Sequence, residues 1–287
     1  MGILYIVGTP IGNLNDITFR ALEVLKSVDY IACEDTRQSL KLLNHFDIKK
    51  KLVAYHKFNE NEKSESIIND LLNGLSVAVV TDAGTPCISD PGYVLVKKAH
   101  ENNIQVIAIP GASAVVSALS VSGIDTSQFS FVGFLPVDNK KFNDEISKMI
   151  ESKIRTFVIY ESPKRIIKLF SKLIEFFPHS LVYVASDLTK IHERGFYGSI
   201  EDVYSTLSSD QNVEKGEYAI VLNKCIVEEK NNDEDELSIE AELVDIMVKE
   251  KIGLKDAIGI LNSQRDKCSK KEIYNASLTL KEMFQKN

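Results

Sequence analysis

Up to Ser122 the chain alternates short apolar runs, rich in β-branched residues, with longer stretches of helical spacing. Strands separated by helices of this length need crossover connections, which favour a parallel sheet covered on both faces. The pattern therefore predicts an α/β fold. The predicted strands are Ile3–Val7, Tyr30–Cys33, Leu52–Tyr55, Val77–Val80 and Val106–Ile109. The predicted helices are Ile17–Lys26, Arg37–Phe46, Lys63–Leu72, Tyr93–Glu101 and Ser113–Ser122.

Composition shifts divide the rest of the chain. The stretch GFLPVDNKK after Phe129–Phe134 combines Gly and Pro with a polar helix start, which is typical of a domain boundary. A second mixed α/β unit follows, and EEKNNDEDE is too densely charged for a core. We predict an N-terminal α/β domain (residues 1–134), a C-terminal α/β domain (135–227), an acidic linker (228–237) and a helical tail (238–287).

Bulk features narrow the class of protein. The 4 cysteines form no CxxC pair and the 5 histidines are scattered, so we expect no metal site and a reducing cytoplasm. The first residues lack a basic region and break at Gly8, unlike a signal peptide, and no run approaches a membrane span. The net charge of −7 is uneven: residues 228–245 hold nine acids and one base, whereas 249–287 hold nine bases and five acids. A partner with phosphates is compatible with that basic tail.

Loops rich in small residues follow three of the predicted strands. They contain Gly8–Gly12, Asp82–Pro86 and Pro110–Ser113. If the first, fourth and fifth strands are neighbours, these loops line one crevice at the carboxyl edge, suited to a ligand with adenine, ribose and a charged tail. Three coincident turns are the structural alternative. Gly8 and Gly12 do not form GxGxxG and Pro10 has no N–H, which disfavours an ordinary dinucleotide site.

Eight motifs stand in an order that is known from one family. They are LYIVGTPIGNLNDIT, ACEDTR, DAGTPCISDPGY, PGASA, GFLP, YESPKR, LTK and KGEYAIVL. With them the sequence resembles the bacterial cytidine 2′-O-ribose methyltransferases of small-subunit (16S) ribosomal RNA. These belong to the tetrapyrrole-methylase-like class of S-adenosylmethionine enzymes. The resemblance runs from the N-terminus to about Leu222 and resumes in the basic tail.

The resemblance implies two α/β domains of the tetrapyrrole methylase type facing a cleft, S-adenosylmethionine as cofactor, and a homodimer. It also implies a cytoplasmic enzyme that acts on small-subunit ribosomal RNA, without a membrane. This chain departs from the family at Ser186-Asp187, where Arg-Glu is common, and at Lys164, where His is common. The cofactor contacts would fall on Thr9, Pro10, Ile11, Asp82, Ala83, Gly84, Ser113 and Ala114.

Methyl transfer to a ribose hydroxyl needs alignment and a group that takes the proton. We expect Asp35 and Lys190 near the hydroxyl, with Glu34 and Glu161 as other candidate carboxylates. Arg37 and Arg165 are expected on the RNA backbone. A salt-bridged helix or strand end is the alternative for each. The tail resembles a helix-turn-helix-like region that would meet phosphates, or else packs as a plain helical pair.

Two other functions stay open on the sequence. One is methylation of a small molecule such as a tetrapyrrole precursor, and the other is non-catalytic nucleic-acid binding. The sequence does not identify the nucleotide that is methylated, the proton acceptor or the dimer interface. It also leaves open whether an assembled ribosomal subunit is required.

Overall fold

The computed structural model describes residues 1–225, 238–264 and 270–285. The chain divides into two compact units, Met1–Cys225 and Ile226–Asn287. None of the described helices is both long enough and apolar enough to cross a lipid bilayer.

The first unit begins with a five-stranded parallel sheet in the order β3-β2-β4-β1-β5. Its strands confirm the predicted ones, with small shifts at two of them. They are β1 (Ile3–Val7), β2 (Tyr30–Cys33), β3 (Lys51–Ala54), β4 (Val77–Val80) and β5 (Gln105–Ile109). The intervening helices are α1 (Phe19–Ser27), α2 (Thr36–His45), α3 (Glu60–Leu72), α4 (Tyr93–Glu101) and α5 (Ala114–Val121).

Both faces of this sheet are covered, as the sequence predicts. In β4, Val77 and Val79 pack with Leu4 on one face, whereas Ala78 and Val80 belong to the cluster on the other. A strand buried on both sides needs a continuous apolar run, and VAVV supplies one. Helix α1 starts two residues later than predicted because the Thr18 hydroxyl accepts a hydrogen bond from the Ala21 N–H and caps it.

The second sheet of this unit is mixed, in the order β6-β7-β10-β8-β9. Only the β6–β7 pair is parallel among its described pairings. Its strands are β6 (Phe129–Phe134), β7 (Thr156–Glu161), β8 (Leu181–Ser186), β9 (Arg194–Ser199) and β10 (Tyr218–Asn223). Its helices are α6 (Asn139–Glu151), α7 (Ile166–Phe176) and α8 (Ile200–Ser208).

Helix α5 connects the two sheets. It follows β5 of the first sheet, but Val115, Ala118 and Leu119 pack against Ala185 and Ala219 of the second. The strand β6 pairs within the second sheet, although it precedes the predicted boundary at residues 134/135. That boundary stays a prediction, and a division between α5 and β6 would keep each sheet whole.

The second unit contains three described helices: α9 (Ile239–Glu250), α10 (Leu254–Gln264) and α11 (Lys270–Gln285). They enclose a separate apolar cluster that includes Leu243, Leu261 and Ile273. Ser238 caps α9 by accepting a hydrogen bond from the Ala241 N–H. The predicted acidic linker, residues 228–237, lies outside the described ranges.

Candidate active site

The three small-residue loops meet at one edge of the first sheet, as predicted, because β4, β1 and β5 are neighbours. The Thr9 N–H donates to the Gly84 carbonyl at 2.8 Å, and the Gly84 N–H donates back to Thr9 at 3.1 Å. A Cβ on Gly8 would lie 2.8 Å from the Gly111 Cα, so only glycines allow this backbone approach. The loops after β1, β4 and β5 therefore form one continuous wall.

A cavity of about 580 Å³ opens between this wall and the second sheet. Its volume lies within the ~300–1,000 Å³ range of small-molecule sites. Six of the eight predicted cofactor residues line it, namely Ile11, Asp82, Ala83, Gly84, Ser113 and Ala114. The opposite wall is formed by Tyr160, Glu161, Ser162, Pro163, Ala185, Leu188, Gly216, Glu217, Tyr218 and Ala219.

The other two predicted cofactor residues stand behind the lining. Thr9 is 1% exposed, and its hydroxyl donates to the Thr81 or the Gly84 carbonyl, each at 3.3 Å. Pro10 is half-buried and is not part of the lining. The side chain of Thr9 thus holds two loops together rather than facing the cavity.

Three carboxylates approach one another on the first wall. The Thr81 hydroxyl donates to Glu34 Oε2 at 3.1 Å, and Asp82 Oδ1 accepts the Asp35 N–H at 3.1 Å. Burial first, and then the negative charge of Glu34, raise the pKa of Asp90 to about 6. Among the described residues no cluster of His, Cys, Asp and Glu has an arrangement that could hold a metal ion.

Asp90 is the functional candidate that the sequence analysis missed. Within SDPG, Ser89 and Asp90 look like caps for the next helix, but α4 is capped by Gly92 without a side-chain hydrogen bond. The Gly92 N–H donates instead to Glu60 Oε1 at 2.8 Å. Asp90 is therefore free to line the cavity. Its place in the same loop as DAGTP was the available signal.

Asp35 and Arg37 form a tight pair at the start of α2. Their side chains lie 2.6 Å apart, and Asp35 also accepts the Arg37 N–H at 2.8 Å as the helix cap. The hydrogen bonds from Arg37 lower the pKa of Asp35 to about 2. Asp35 is not a lining residue, and it meets the site through its backbone bond to Asp82. The Arg37 side chain is 86% exposed.

Lys190 is not a lining residue; it contacts the lining residue Glu217 and lies beside the loop after β1. Its amine contacts Asp187 at 2.8 Å and Glu217 at 3.0 Å, and a Cβ on Gly12 would lie 2.7 Å from Lys190 Cγ. Burial acts to lower the pKa of Lys190, but hydrogen bonds to the two carboxylates outweigh it, and the pKa is raised. A raised pKa keeps Lys190 protonated and does not suit the group that takes the proton from the hydroxyl.

Glu161 and Arg165 form the main ion pair of the opposite wall. The Glu161 side chain is 0% exposed and its Oε2 lies 3.0 Å from Arg165 Nη2. Glu161 Oε1 accepts the Ser162 N–H at 2.7 Å, and Arg165 donates to the Leu135 carbonyl at 2.9 Å. Burial raises the pKa of the neighbouring Tyr160 phenol to about 12. YESPKR and GFLP, two motifs distant in sequence, are thus joined in the structure.

Comparison with known families gives one match over most of the chain. Residues 3–204 match the family model described as Tetrapyrrole (Corrin/Porphyrin) Methylases. The matched range includes both sheets except β10.

Two curated relatives of this chain share one name. The ribosomal RNA small subunit methyltransferase I of Halalkalibacterium halodurans is 43% identical over 221 residues, covering 77% of this chain and 75% of that protein. The protein of the same name from Buchnera aphidicola is 38% identical over 283 residues, covering 98% of this chain and 97% of the relative.

Solved structures with a similar fold are more distant in sequence. A diphthine synthase has a TM-score of 0.57 at 14% identity, covering 78% of this chain and 90% of its own. A uroporphyrin-III C-methyl transferase from Thermus thermophilus, complexed with S-adenyl homocysteine, has a TM-score of 0.52 at 16% identity, covering 77% and 97%. At such identities the likeness concerns the fold alone.

Proposed function

Because the chain belongs to the tetrapyrrole methylase family, we propose that it methylates the ribose 2′-hydroxyl of a cytidine in small-subunit ribosomal RNA, with S-adenosylmethionine as donor. The observation that carries the proposal is the cavity on which the loops after β1, β4 and β5 converge. Relatives at 38% and 43% identity, named for small-subunit ribosomal RNA, support the choice of acceptor.

The lining of the cavity fits a cationic methyl donor. Five acids line it, and among the described residues no lysine or arginine does. Such a charge pattern favours a ligand with a sulfonium and an ammonium group. Ile11, Ala83, Ala114 and Leu188 offer apolar surface for an adenine ring. When bound, S-adenosylmethionine supplies a methyl group that its positive sulfur already activates.

The ribose hydroxyl is a poor nucleophile near neutral pH, so a side chain must accept its proton. Asp90 suits this task because its pKa of about 6 lies near the working pH. Asp35 and Lys190 remain our proposal for groups beside the hydroxyl. With its pKa raised, Lys190 stays protonated and donates to ribose oxygens. Arg37 and Arg165 are proposed to hold the RNA backbone.

The test is to map the ribose methyl groups of small-subunit ribosomal RNA by mass spectrometry in cells with and without this protein. We expect one cytidine ribose methyl to disappear, and purified protein to restore it on isolated small subunits with S-adenosylmethionine. An unchanged map would refute the RNA substrate and favour a small-molecule acceptor. Calorimetry that shows no heat with S-adenosylmethionine would instead favour a non-catalytic binding protein.

A further inference from the structure

A second, smaller cavity of about 90 Å³ adjoins the main one, since Glu161 lines both. Its walls come from the loop after β6, from α6 and from α7. The lining residues are Pro136, Val137, Phe142, Glu161, Arg165, Lys168, Leu169 and Lys172. We refer to it as the basic pocket.

The two cavities have opposite charge. The basic pocket holds Arg165, Lys168 and Lys172 against the single acid Glu161. The main cavity is lined by five acids and, within the described ranges, by no lysine or arginine. A molecule with an anionic group next to a neutral sugar matches this pair of neighbouring sites.

The three cations of the basic pocket share one helix face, and neighbouring groups hold two of them in place. They lie at spacings of three and four along α7, beginning at its capping residue Arg165, and so share one face of the helix. Arg165 is fixed by Glu161 and the Leu135 carbonyl. The Lys172 amine contacts Asn139 Oδ1 at 2.9 Å and lies 4.6 Å from the Phe142 ring centre. No described ion pair or hydrogen bond engages the Lys168 amine, which leaves it available to a ligand.

The volume and the lining of the basic pocket indicate which kind of anion it binds. At about 90 Å³ the pocket is far below the ~300–1,000 Å³ of a whole-ligand site, and it suits one phosphate group of a larger molecule. Pro136 and Val137, the latter 76% exposed, add apolar surface at its edge. A polynucleotide offers both a phosphate and the apolar face of a sugar or base, whereas a free inorganic anion offers only charge.

We propose that the basic pocket binds a backbone phosphate of the RNA strand whose ribose enters the main cavity. Lys168 and Lys172, with Arg165, would then be positioning residues for the acceptor nucleotide. This inference rests on the proposed function, because it takes the strand to be the methyl acceptor.

The experiment compares two double variants of the full chain. Lys168→Gln/Lys172→Gln removes the pocket charges, and Lys148→Gln/Lys153→Gln removes two charges from the same domain outside the pocket. The probe is a single-stranded 12-nucleotide oligoribonucleotide of mixed sequence, measured at several salt concentrations. We expect the pocket variant to bind about tenfold more weakly. We also expect its log–log salt slope to fall by about 0.7, the value for one phosphate on a single strand.

Calorimetry with S-adenosylmethionine should give unchanged affinity for both double variants. Lys168→Arg/Lys172→Arg keeps both charges and should retain RNA affinity, which separates lost charge from lost folding. Equal affinity and slope in the pocket and control variants would overturn the inference, as would a wild-type chain that does not bind the oligoribonucleotide. Weakened binding by the pocket variant, together with no methyl transfer by the wild type, would refute the proposed function and leave the phosphate site standing.

Discussion

At the scale of single residues, Asp90 is the acid of the main cavity whose pKa is raised towards neutral pH. This half-buried carboxylate has a pKa near 6 because burial and the Glu34 charge both oppose its ionisation. Between about pH 4 and 6 the folded chain keeps a proton that the unfolded chain loses, so the stability of the fold falls as pH rises through this window. At neutral pH the ionised Asp90 therefore destabilises the fold while remaining able to accept a proton.

Asp90→Asn should separate these two effects. We expect methyl transfer to fall by about 10²-fold or more, because the candidate proton acceptor is lost. The free energy of unfolding at pH 7 should rise by about 1–2 kcal/mol, a shift of two pKa units discounted for partial solvent screening. Rate profiles from pH 5 to 8 and urea unfolding measure both, with exposed Asp144→Asn as control. A wild-type rate that does not rise through pH 6 would contradict the role of Asp90.

Asp35 and Lys190 can be tested together as groups beside the acceptor hydroxyl. Asp35→Ala and Lys190→Ala should each lower kcat by about 10-fold to 10²-fold, with the affinity for S-adenosylmethionine unchanged. Single-turnover kinetics with small ribosomal subunits and calorimetry give the two numbers. If both variants keep wild-type turnover while binding the donor, neither residue acts at the hydroxyl. In that case the Asp35–Arg37 pair serves the cap of α2 alone.

At the scale of elements, the crossing of the loops after β1 and β5 depends on two glycines. A Cβ on Gly111 would meet three backbone atoms of Gly8 at 2.8 Å, and backbone atoms cannot turn aside as a side chain can. Gly111→Ala should therefore lower the free energy of unfolding by about 1–3 kcal/mol and weaken S-adenosylmethionine binding.

The matched control for this change is Gly259→Ala in α10, where a Cβ would meet no atom within 4 Å. There alanine should be neutral or add about 0.5–1 kcal/mol, since it favours a helix over glycine. Urea unfolding compares the two. If both variants changed the free energy of unfolding equally, the two loops would be able to move apart at no cost in stability.

A buried lysine binds the backbone carbonyls at the C-terminal end of helix α6. The Lys224 amine donates to the carbonyls of Met149 and Ile150, each at 2.8 Å, and to that of Ser152. Burial lowers the pKa of Lys224. Lys224→Met should cost about 2–3 kcal/mol in urea unfolding, because carbonyls at the helix end lose their donor. The control is the exposed Lys148→Met, whose free energy of unfolding should stay within about 0.5 kcal/mol of wild type. An equally small loss of stability in Lys224→Met would show that water replaces the amine.

Local sequence patterns predicted the strands and helices more completely than the residues of the candidate site. The buried run at Val77–Val80 identifies a central parallel strand without any knowledge of its partners. The predicted crevice required β4, β1 and β5 to be neighbours, and the order of the sheet meets that condition. Glu161 and Tyr218, by contrast, reach the cavity from strands of the second sheet, and no spacing in the sequence links them to Asp82. Asp90 was missed because SDPG also fits a helix cap. In the structure the Gly92 N–H donates to Glu60 instead, and no side chain caps α4.

At the scale of the whole molecule, the two units carry separate hydrophobic clusters. Residues 249–287 hold nine bases against five acids, whereas the chain as a whole has a net charge of −7. The tail is proposed as a second contact for RNA. The side chains of Lys267, Lys270 and Lys271, at the predicted helix junction, lie outside the described residues. The homodimer also stays a prediction.

Deletion of residues 238–287 should lower affinity for ribosomal RNA and leave affinity for S-adenosylmethionine intact, since every described residue that lines the main cavity belongs to the first unit. Filter binding across a salt series should show a smaller slope for the shortened chain, because fewer phosphates are neutralised. Unchanged RNA affinity would refute a role for the tail. Lost donor affinity would mean that the first unit needs the second to fold.

Helix α5 has a mechanical consequence for the enzyme. Its first residue, Ala114, belongs to the cavity wall, while Ala118 and Leu119 are embedded in the second sheet. A rotation of one sheet against the other would therefore displace Ala114 from the cavity wall. Because α5 belongs to the cavity wall at one end and packs on the second sheet along its length, its packing resists such a rotation.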